Sequence, residues 1–164
     1  MLDARFERMS DTYTVERSVA IDAPQARVYA HVVDFHEWGD WSPWDELDPA
    51  MTKTFSGSEA GVGAKYSWLG NRKVGQGSME ITDATEHSRV EIALEFLKPF
   101  KATNATTFSL QPEGAGTNVT WSMTGQKTFM TKVMGIFKSM DSMVGPDFER
   151  GLARLKTVAE SGSS

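Results

Sequence analysis

The chain has 164 residues, of which 40% are hydrophobic and 24% charged, and its net charge at pH 7 is −5. This length and composition are typical of one globular domain with a sizeable core. The acidic balance excludes a broad nucleic-acid surface, and the absence of cysteine excludes disulfides, a thiol nucleophile and cysteine-bound metals. No segment has the pattern of a signal peptide or a membrane-spanning helix, so we expect a soluble, cytoplasmic protein.

The first periodic segment of the chain, 12–21, reads TYTVERSVAI. Its apolar side chains alternate with polar ones, which is the pattern of a β-strand with one buried face. Arg17 falls on the apolar side of this strand. It therefore pairs with a buried acid, marks a shift of register, or holds a carboxylate or enolate of a bound ligand.

Two short helical segments follow the first strand. The stretch DAPQARVYAHVVDF predicts a helix over about 24–33, because Asp22 can cap it and Pro24 suits a first helical turn. A second helical turn is predicted over 35–40. Pro43 disfavours helical geometry in the residue before it and so ends this turn.

The stretch HEWGDWSPWDELDP, at 36–49, concentrates tryptophans and carboxylates. Trp38, Trp41 and Trp44 are spaced by three, so Trp38 and Trp41 share a face if the segment is helical. One interpretation is that the tryptophans cap one end of the core and that the acids are solvated. The other is that Trp41 or Trp44 forms part of the wall or entrance of a cavity.

After Pro49 the hydrophobic period changes to two, and turn residues separate the alternating segments. This pattern predicts an antiparallel meander with one apolar face and one wet face. Gly75 and Gly77 favour a β-bulge between two of its strands. The predicted strands lie near 51–56, 64–68, 79–82, 90–96, 106–110 and 119–123.

From Lys127 to Glu160 the apolar residues step by three or four, as in an amphipathic helix. Gly145-Pro146 interrupts this run and predicts a kink or a break, with 127–145 acting as a gate. The predicted order is a strand, two short helices, about six more strands and a long helix. An α+β fold, in which a strongly curved antiparallel sheet of about seven strands wraps around the C-terminal helix, packs these elements economically.

Three stretches together resemble a known family: ERSVAIDAPQARVYAHVVDFHEWGDWSPW, GTNVTWSMTG and MVGPDFERGLARLKTVAE. The chain resembles the START-like superfamily with the helix-grip fold, and within it the polyketide cyclase/dehydrase-type proteins related to the birch pollen allergen. The resemblance covers about 12–160 as a single domain, with loose termini at 1–11 and 161–164. It implies a deep, mostly apolar cavity between the sheet and the long helix, but it carries over no catalytic residue.

The inward face of the predicted sheet supplies the candidate wall of this cavity. Methionines are concentrated between 123 and 143, and methionine adapts its shape to varied apolar ligands, although it can equally patch a filled core. Polar groups in such a wall would orient a ligand. The predicted cavity residues are Arg17, Tyr66, Trp68, Met79, Phe96, Asn104, Thr106, Phe108, Trp121, Met123, Met134, Phe137 and Met140, with Trp41 and Trp44 at the entrance.

These features predict that a small hydrophobic or amphipathic ligand, such as a lipid, polyketide or aromatic, binds in the cavity without a cofactor. One alternative is a polyketide cyclase or dehydratase in which Tyr66, Asn104 or Arg17 transfers protons. Another is an interaction module that binds a protein and no ligand. No nucleophile elbow, phosphate loop or dinucleotide fingerprint is present, and the spacing of His31 and His36 fits no metal motif, so no metal is expected.

Overall fold

The computed structural model of the protein describes residues 12–72, 74–98, 101–126 and 140–161. Within these ranges seven antiparallel strands form one curved sheet, and a long helix packs against it. The strands are β1 (Thr12–Ile21), β2 (Thr52–Gly57), β3 (Ala64–Leu69), β4 (Gln76–Thr85), β5 (Arg89–Lys98), β6 (Ala102–Glu113) and β7 (Gly116–Gln126). The helices are α1 (Gln25–Val32), a 3-10 helix (Phe35–Asp40), α2 (Trp44–Leu47) and α3 (Met140–Glu160).

The strand order is β1-β7-β6-β5-β4-β3-β2, so the first strand of the chain lies beside the last. All other neighbours are joined in sequence, which is the meander that the alternating pattern predicts. The side chains of one parity point towards α3 and are buried, as Val15, Ile81 and Phe108 illustrate. The predicted α+β helix-grip fold is therefore confirmed.

Strand β4 is irregular where the glycines predict a bulge. Its register against β5 shifts between Gln76 and Gly77, and again between Ile81 and Asp83. Gly77 also lies against its neighbours so closely that a Cβ atom there would be 2.4 Å from the carbonyl oxygen of Glu95 and 2.6 Å from the ring of Trp68. The glycine therefore allows the Trp68 indole to lie flat against β4.

The short helices begin close to where the sequence predicts them, but with different caps. Pro24 occupies the N-cap position of α1, whereas the backbone N–H of Asp22 donates to Glu160 at 2.7 Å. Asp22 is thus engaged with the end of α3 and does not cap α1. Asp34 caps the 3-10 helix, because its Oδ1 accepts the backbone N–H of His36 at 2.9 Å.

Helix α3 runs continuously through Pro146, so of the predicted kink or break the break does not occur, and the kink stays a prediction. Gly145 has a packing role, since a Cβ atom at this position would lie 2.2 Å from Nη2 of Arg17 on β1. The predicted gate, 127–145, lies mostly outside the described residues and stays a prediction. The helix continues past Pro146 because its apolar face is buried on the sheet, through Phe148, Leu152, Leu155 and Ala159. No helix in the described ranges is long and apolar enough to span a membrane.

We expect Gly77→Ala to lower the free energy of unfolding by about 2 kcal/mol, because the new methyl group collides with backbone that cannot move without breaking the β4–β5 ladder. Urea denaturation followed by circular dichroism measures the change. Ser78→Ala, one position along the same strand, is the control and should stay within about 0.5 kcal/mol of wild type. Equal stability of Gly77→Ala and wild type would contradict the packing seen at this position.

Candidate functional site

A cavity of about 180 Å³ lies between the inner face of the sheet and α3. Strands β2 to β7 all contribute side chains to its wall, and the 3-10 helix, α2 and α3 close the other side. Most of these side chains are apolar or aromatic. The described wall therefore has the character of a site for an apolar molecule.

Trp121 forms the floor of the cavity at its boundary with the filled core. Its ring stacks on Phe148 of α3, with centroids 4.0 Å apart and an interplanar angle of 2°, and on Phe108 at 4.9 Å. Trp44 meets the Trp121 ring edge-on at 5.7 Å. These contacts hold the sheet, α2 and α3 at fixed separations, which preserves the space beside them.

The tryptophan stretch folds as it does because its indole N–H groups find backbone partners. Trp38 donates to the carbonyl of Val32 and Trp41 to that of His31, both at 2.9 Å, which ties the 3-10 helix to the end of α1. Trp41 is completely buried and belongs to the core, so the structure places only Trp44 of the two predicted entrance residues at the cavity.

Most of the residues predicted for the cavity wall are found in it. Met134 and Phe137 lie outside the described residues, as does the side chain of Met140, and their roles stay predictions. The predicted residues that line the cavity are Tyr66, Trp68, Met79, Phe96, Thr106, Trp121 and Met123.

The structure places the remaining candidates elsewhere, each for a specific reason. Nε of Arg17 donates to Glu149 of α3 at 2.7 Å, so this guanidinium joins β1 to the helix. Oδ1 of Asn104 accepts the hydroxyl of Tyr13 at 2.7 Å. Phe108 is buried beneath Trp121. Strand parity places all three on the inner face, but their neighbours there are protein groups.

The mouth of the cavity is formed by residues that the sequence did not single out as a group. His36 and Phe55 are exposed and stack on each other, with ring centroids 4.3 Å apart. Nζ of Lys53 and Oδ2 of Asp45 form an ion pair at 2.7 Å beside them. In the sequence, the only local sign of this arrangement is Asp34-x-His36, in which a helix-capping residue precedes an imidazole. Lys53 lies on the exposed strand β2, whose pattern does not mark it as a site residue.

Tyr66 lies between the mouth and the interior. Burial, and secondarily the negative charge of Asp45, raises the pKa of the Tyr66 phenol well above its usual range. The phenol therefore stays protonated at neutral pH and is available as a hydrogen-bond donor.

Two residues of the cavity wall each carry a buried polar atom that has no partner among the described residues. These are Oγ1 of Thr106 and Nε1 of Trp121, whose side chains are 4% and 1% exposed. Within the described ranges no three His, Asp or Glu side chains lie close enough together to hold a metal ion.

The family model described as polyketide cyclase/dehydrase and lipid transport matches residues 12–160. The chain belongs to this family. The match confirms the resemblance to START-like polyketide cyclase/dehydrase-type proteins that the sequence suggests. No curated protein matches the chain.

Several solved structures share the fold of this chain at low sequence identity. An uncharacterised protein from Rhizobium leguminosarum is 16% identical, with a TM-score of 0.67 over 93% of this chain and 97% of the other. The di-domain ARO/CYC StfQ from the steffimycin biosynthetic pathway is 12% identical, with a TM-score of 0.70 over 96% of this chain and 53% of the other. Ara h 8.0201 is 14% identical, with a TM-score of 0.58 over 92% and 96%. These likenesses establish the fold alone.

We expect alkaline pH to destabilise this family member partly through Tyr66. A phenol whose pKa is raised by folding stabilises the protein fully below about pH 10, the unfolded value, and loses that contribution as pH rises towards the folded value. Between about pH 10 and 11, Tyr66→Phe should therefore lose about 1 kcal/mol less unfolding free energy than wild type.

Urea denaturation at the two pH values measures this difference. Tyr29→Phe is the comparison, because burial raises the pKa of Tyr29 by a smaller amount and its substitution should have a smaller effect. If the unfolding free energy of Tyr66→Phe depends on pH in the same way as that of wild type, this phenol ionises as freely in the folded state as in the unfolded state.

Proposed function

We propose that the protein binds a small hydrophobic or amphipathic molecule in the cavity between the sheet and α3. The observation that carries the proposal is the space of about 180 Å³, which aromatic and aliphatic side chains line on nearly all sides. An apolar void in a protein core is destabilising, and a ligand that fills it recovers the lost contacts. Membership of a polyketide cyclase/dehydrase and lipid transport family supports a ligand of this kind. The cytoplasmic location stays a prediction.

The size of the cavity limits the buried part of the ligand. An engineered apolar cavity of about 150 Å³ accepts benzene. The present cavity, at about 180 Å³, thus has room for one ring system of modest size or a short acyl chain. A longer molecule has to extend through the mouth beside the stacked rings of His36 and Phe55.

The distribution of charge favours an amphipathic ligand. Among the described lining residues, Lys53, Asp45 and His36 are the charged or readily charged groups, and all three lie at the mouth. Farther in, the wall consists of apolar side chains and neutral polar groups. The polar or charged end of a ligand longer than the cavity therefore faces solvent beside the Lys53–Asp45 pair.

We expect Leu94→Trp to weaken ligand binding at least about tenfold, because the indole fills much of the space that the ligand would occupy. Ala93→Trp is the matched control: it adds the same side chain to the next position of β5, which is exposed on the outer face. The ligands are fatty acids from hexanoic to dodecanoic acid and mono- and bicyclic aromatics, and isothermal titration calorimetry measures their affinity.

The same panel separates the proposal from its alternative as an interaction module. A ligand that binds wild type and Ala93→Trp but not Leu94→Trp supports binding in the cavity. Binding that is equal in all three proteins would place the ligand on the surface. If no compound binds, no small molecule copurifies by native mass spectrometry, and a protein partner is captured stoichiometrically, the ligand-binding proposal fails in favour of the interaction module.

A second candidate function, cyclisation of a poly-β-ketone, is favoured by the contact between His36 and Asp34. Nδ1 of His36 lies 2.8 Å from Oδ1 of Asp34, which orients the ring with Nδ1 as donor and Nε2 as acceptor. His36 lines the cavity, so Nε2 can take a proton from a carbon flanked by two carbonyl groups. The resulting carbanion attacks a third carbonyl carbon of the same molecule, and the proton returns to the new alkoxide, so the step is redox-neutral.

We expect His36→Asn to slow any such cyclisation at least about 100-fold while leaving affinity for the substrate nearly unchanged. The probe is nonane-2,4,6,8-tetraone, in which the carbon between the first two carbonyl groups closes a six-membered ring on the carbonyl carbon at the far end. Liquid chromatography with mass spectrometry measures the cyclised product. His87→Asn is the control, because His87 lies in the turn before β5, outside the cavity lining, and asparagine tolerates its positive φ of 68°. A wild-type cyclisation rate no greater than that in buffer, or an unchanged cyclisation rate in His36→Asn, would eliminate the His36–Asp34 pair as a catalyst.

A further inference from the structure

We propose that Thr106 and Trp121 form a recognition site for a neutral oxygen acceptor at the buried end of the ligand. This inference rests on the proposed binding function and adds to it the chemical class of the ligand: an apolar molecule that carries a carbonyl oxygen and inserts it first. A pure hydrocarbon, or an acyl chain that enters with its methyl end, lacks this oxygen.

The two donors are neighbours on the inner face of the sheet. Thr106 pairs with Met123 and Phe108 pairs with Trp121 across the β6–β7 ladder, so Thr106 and Trp121 occupy diagonal positions on one face. Side chains in this relation are within reach of each other when one of them is long or aromatic. Both side chains line the same cavity, and both are more than nine-tenths buried.

Neither donor has a partner in the described part of the protein. Oγ1 of Thr106 and Nε1 of Trp121 are buried from solvent and make no hydrogen bond there. By contrast, Trp38, Trp41 and Trp68 each donate their indole N–H to a backbone carbonyl. A buried polar group without a partner is destabilising, and its occurrence in two neighbouring residues that line a void points to a bound molecule as the missing partner.

The chemistry of the pair defines the group that it can bind. An indole N–H only donates, while a threonine hydroxyl donates or accepts. A carbonyl oxygen has two lone pairs and can accept from both. No positively charged side chain lines the interior among the described residues, since Lys53 lies at the mouth and is paired with Asp45. A buried carboxylate would thus lose its hydration without compensation, whereas a neutral ketone, aldehyde or ester would not.

Calorimetric titration with α-tetralone and with tetralin tests the assignment, because the two differ by one carbonyl oxygen on the same ring frame. In Thr106→Val the preference for the ketone over the hydrocarbon should fall about three- to tenfold, the effect of one hydrogen bond. Thr106→Ser, which keeps the hydroxyl, and Thr107→Val, on the opposite face of β6, should keep the wild-type preference. Unliganded Thr106→Val should melt at or above the wild-type Tm, because it replaces an unpartnered hydroxyl by a methyl group.

The indole N–H of Trp121 gives a second readout that needs no change in the wall. In a proton–nitrogen correlation spectrum its signal, assigned with Trp121→Phe, should move further downfield with α-tetralone than with tetralin. If the Trp121 signal shifts equally with both compounds and the ketone preference is unchanged in Thr106→Val, a bound water satisfies the donors. The inference would then be rejected, while the proposal of ligand binding would stand. The inference is also rejected if neither compound binds while other members of the panel do. If no compound of any kind binds, the proposed function fails as well.

Discussion

The parallel stack of Trp121 on Phe148 is the contact on which the rest of the structure depends. It joins β7, the second strand from one edge of the sheet, to α3 at a centroid distance of 4.0 Å. The Trp38, Trp41 and Trp44 rings meet Trp121 edge-on around it. Aromatic rings are rigid and bury large areas, so this cluster fixes how closely the helix approaches the sheet. Because the sheet is curved, a spacing fixed at one point leaves the surfaces further apart beside it.

The interior therefore has two parts with different physical character. On one side of the stack, Leu110, Val119, Leu152 and Leu155 are buried between sheet and helix. On the other side, towards β3, β4 and β5, the side chains surround a void of about 180 Å³. The filled part provides the stability that allows the other part to remain open, since an unfilled cavity lowers the free energy of unfolding. The proposed binding and the stability of the fold are thus assigned to separate parts of one continuous core.

The polar groups of the cavity are arranged in an order that matches an amphipathic guest. The neutral donors proposed to bind a carbonyl oxygen belong to Thr106 and Trp121 at the inner end. The Tyr66 phenol, which stays protonated at neutral pH, lies between them and the mouth, where Lys53, Asp45 and His36 are found. A ligand held in this way has a defined direction, which is the condition for selectivity in a wall that is otherwise apolar. The same direction would bring ligand carbons next to the His36–Asp34 pair at the mouth, so binding and proton transfer are compatible uses of one cavity.

The sequence by itself determined the element order, the parity of most inward-facing strand residues and the family, because alternation and helical periodicity are local properties of the chain. It placed Tyr66, Trp68, Thr106 and Trp121 on the correct face for the same reason. Only the tertiary structure decided that Arg17 pairs with Glu149, that Asn104 accepts from Tyr13, and that Trp41 is core while Trp44 borders the cavity. Strand parity tells which face of the sheet a side chain lies on but not which groups it contacts there. A cavity is the space that remains after side chains from distant parts of the sequence have packed together, so no local pattern predicts it. Of the kink or break expected at Pro146, the break does not occur, because packing of α3 on the sheet outweighs one missing backbone donor.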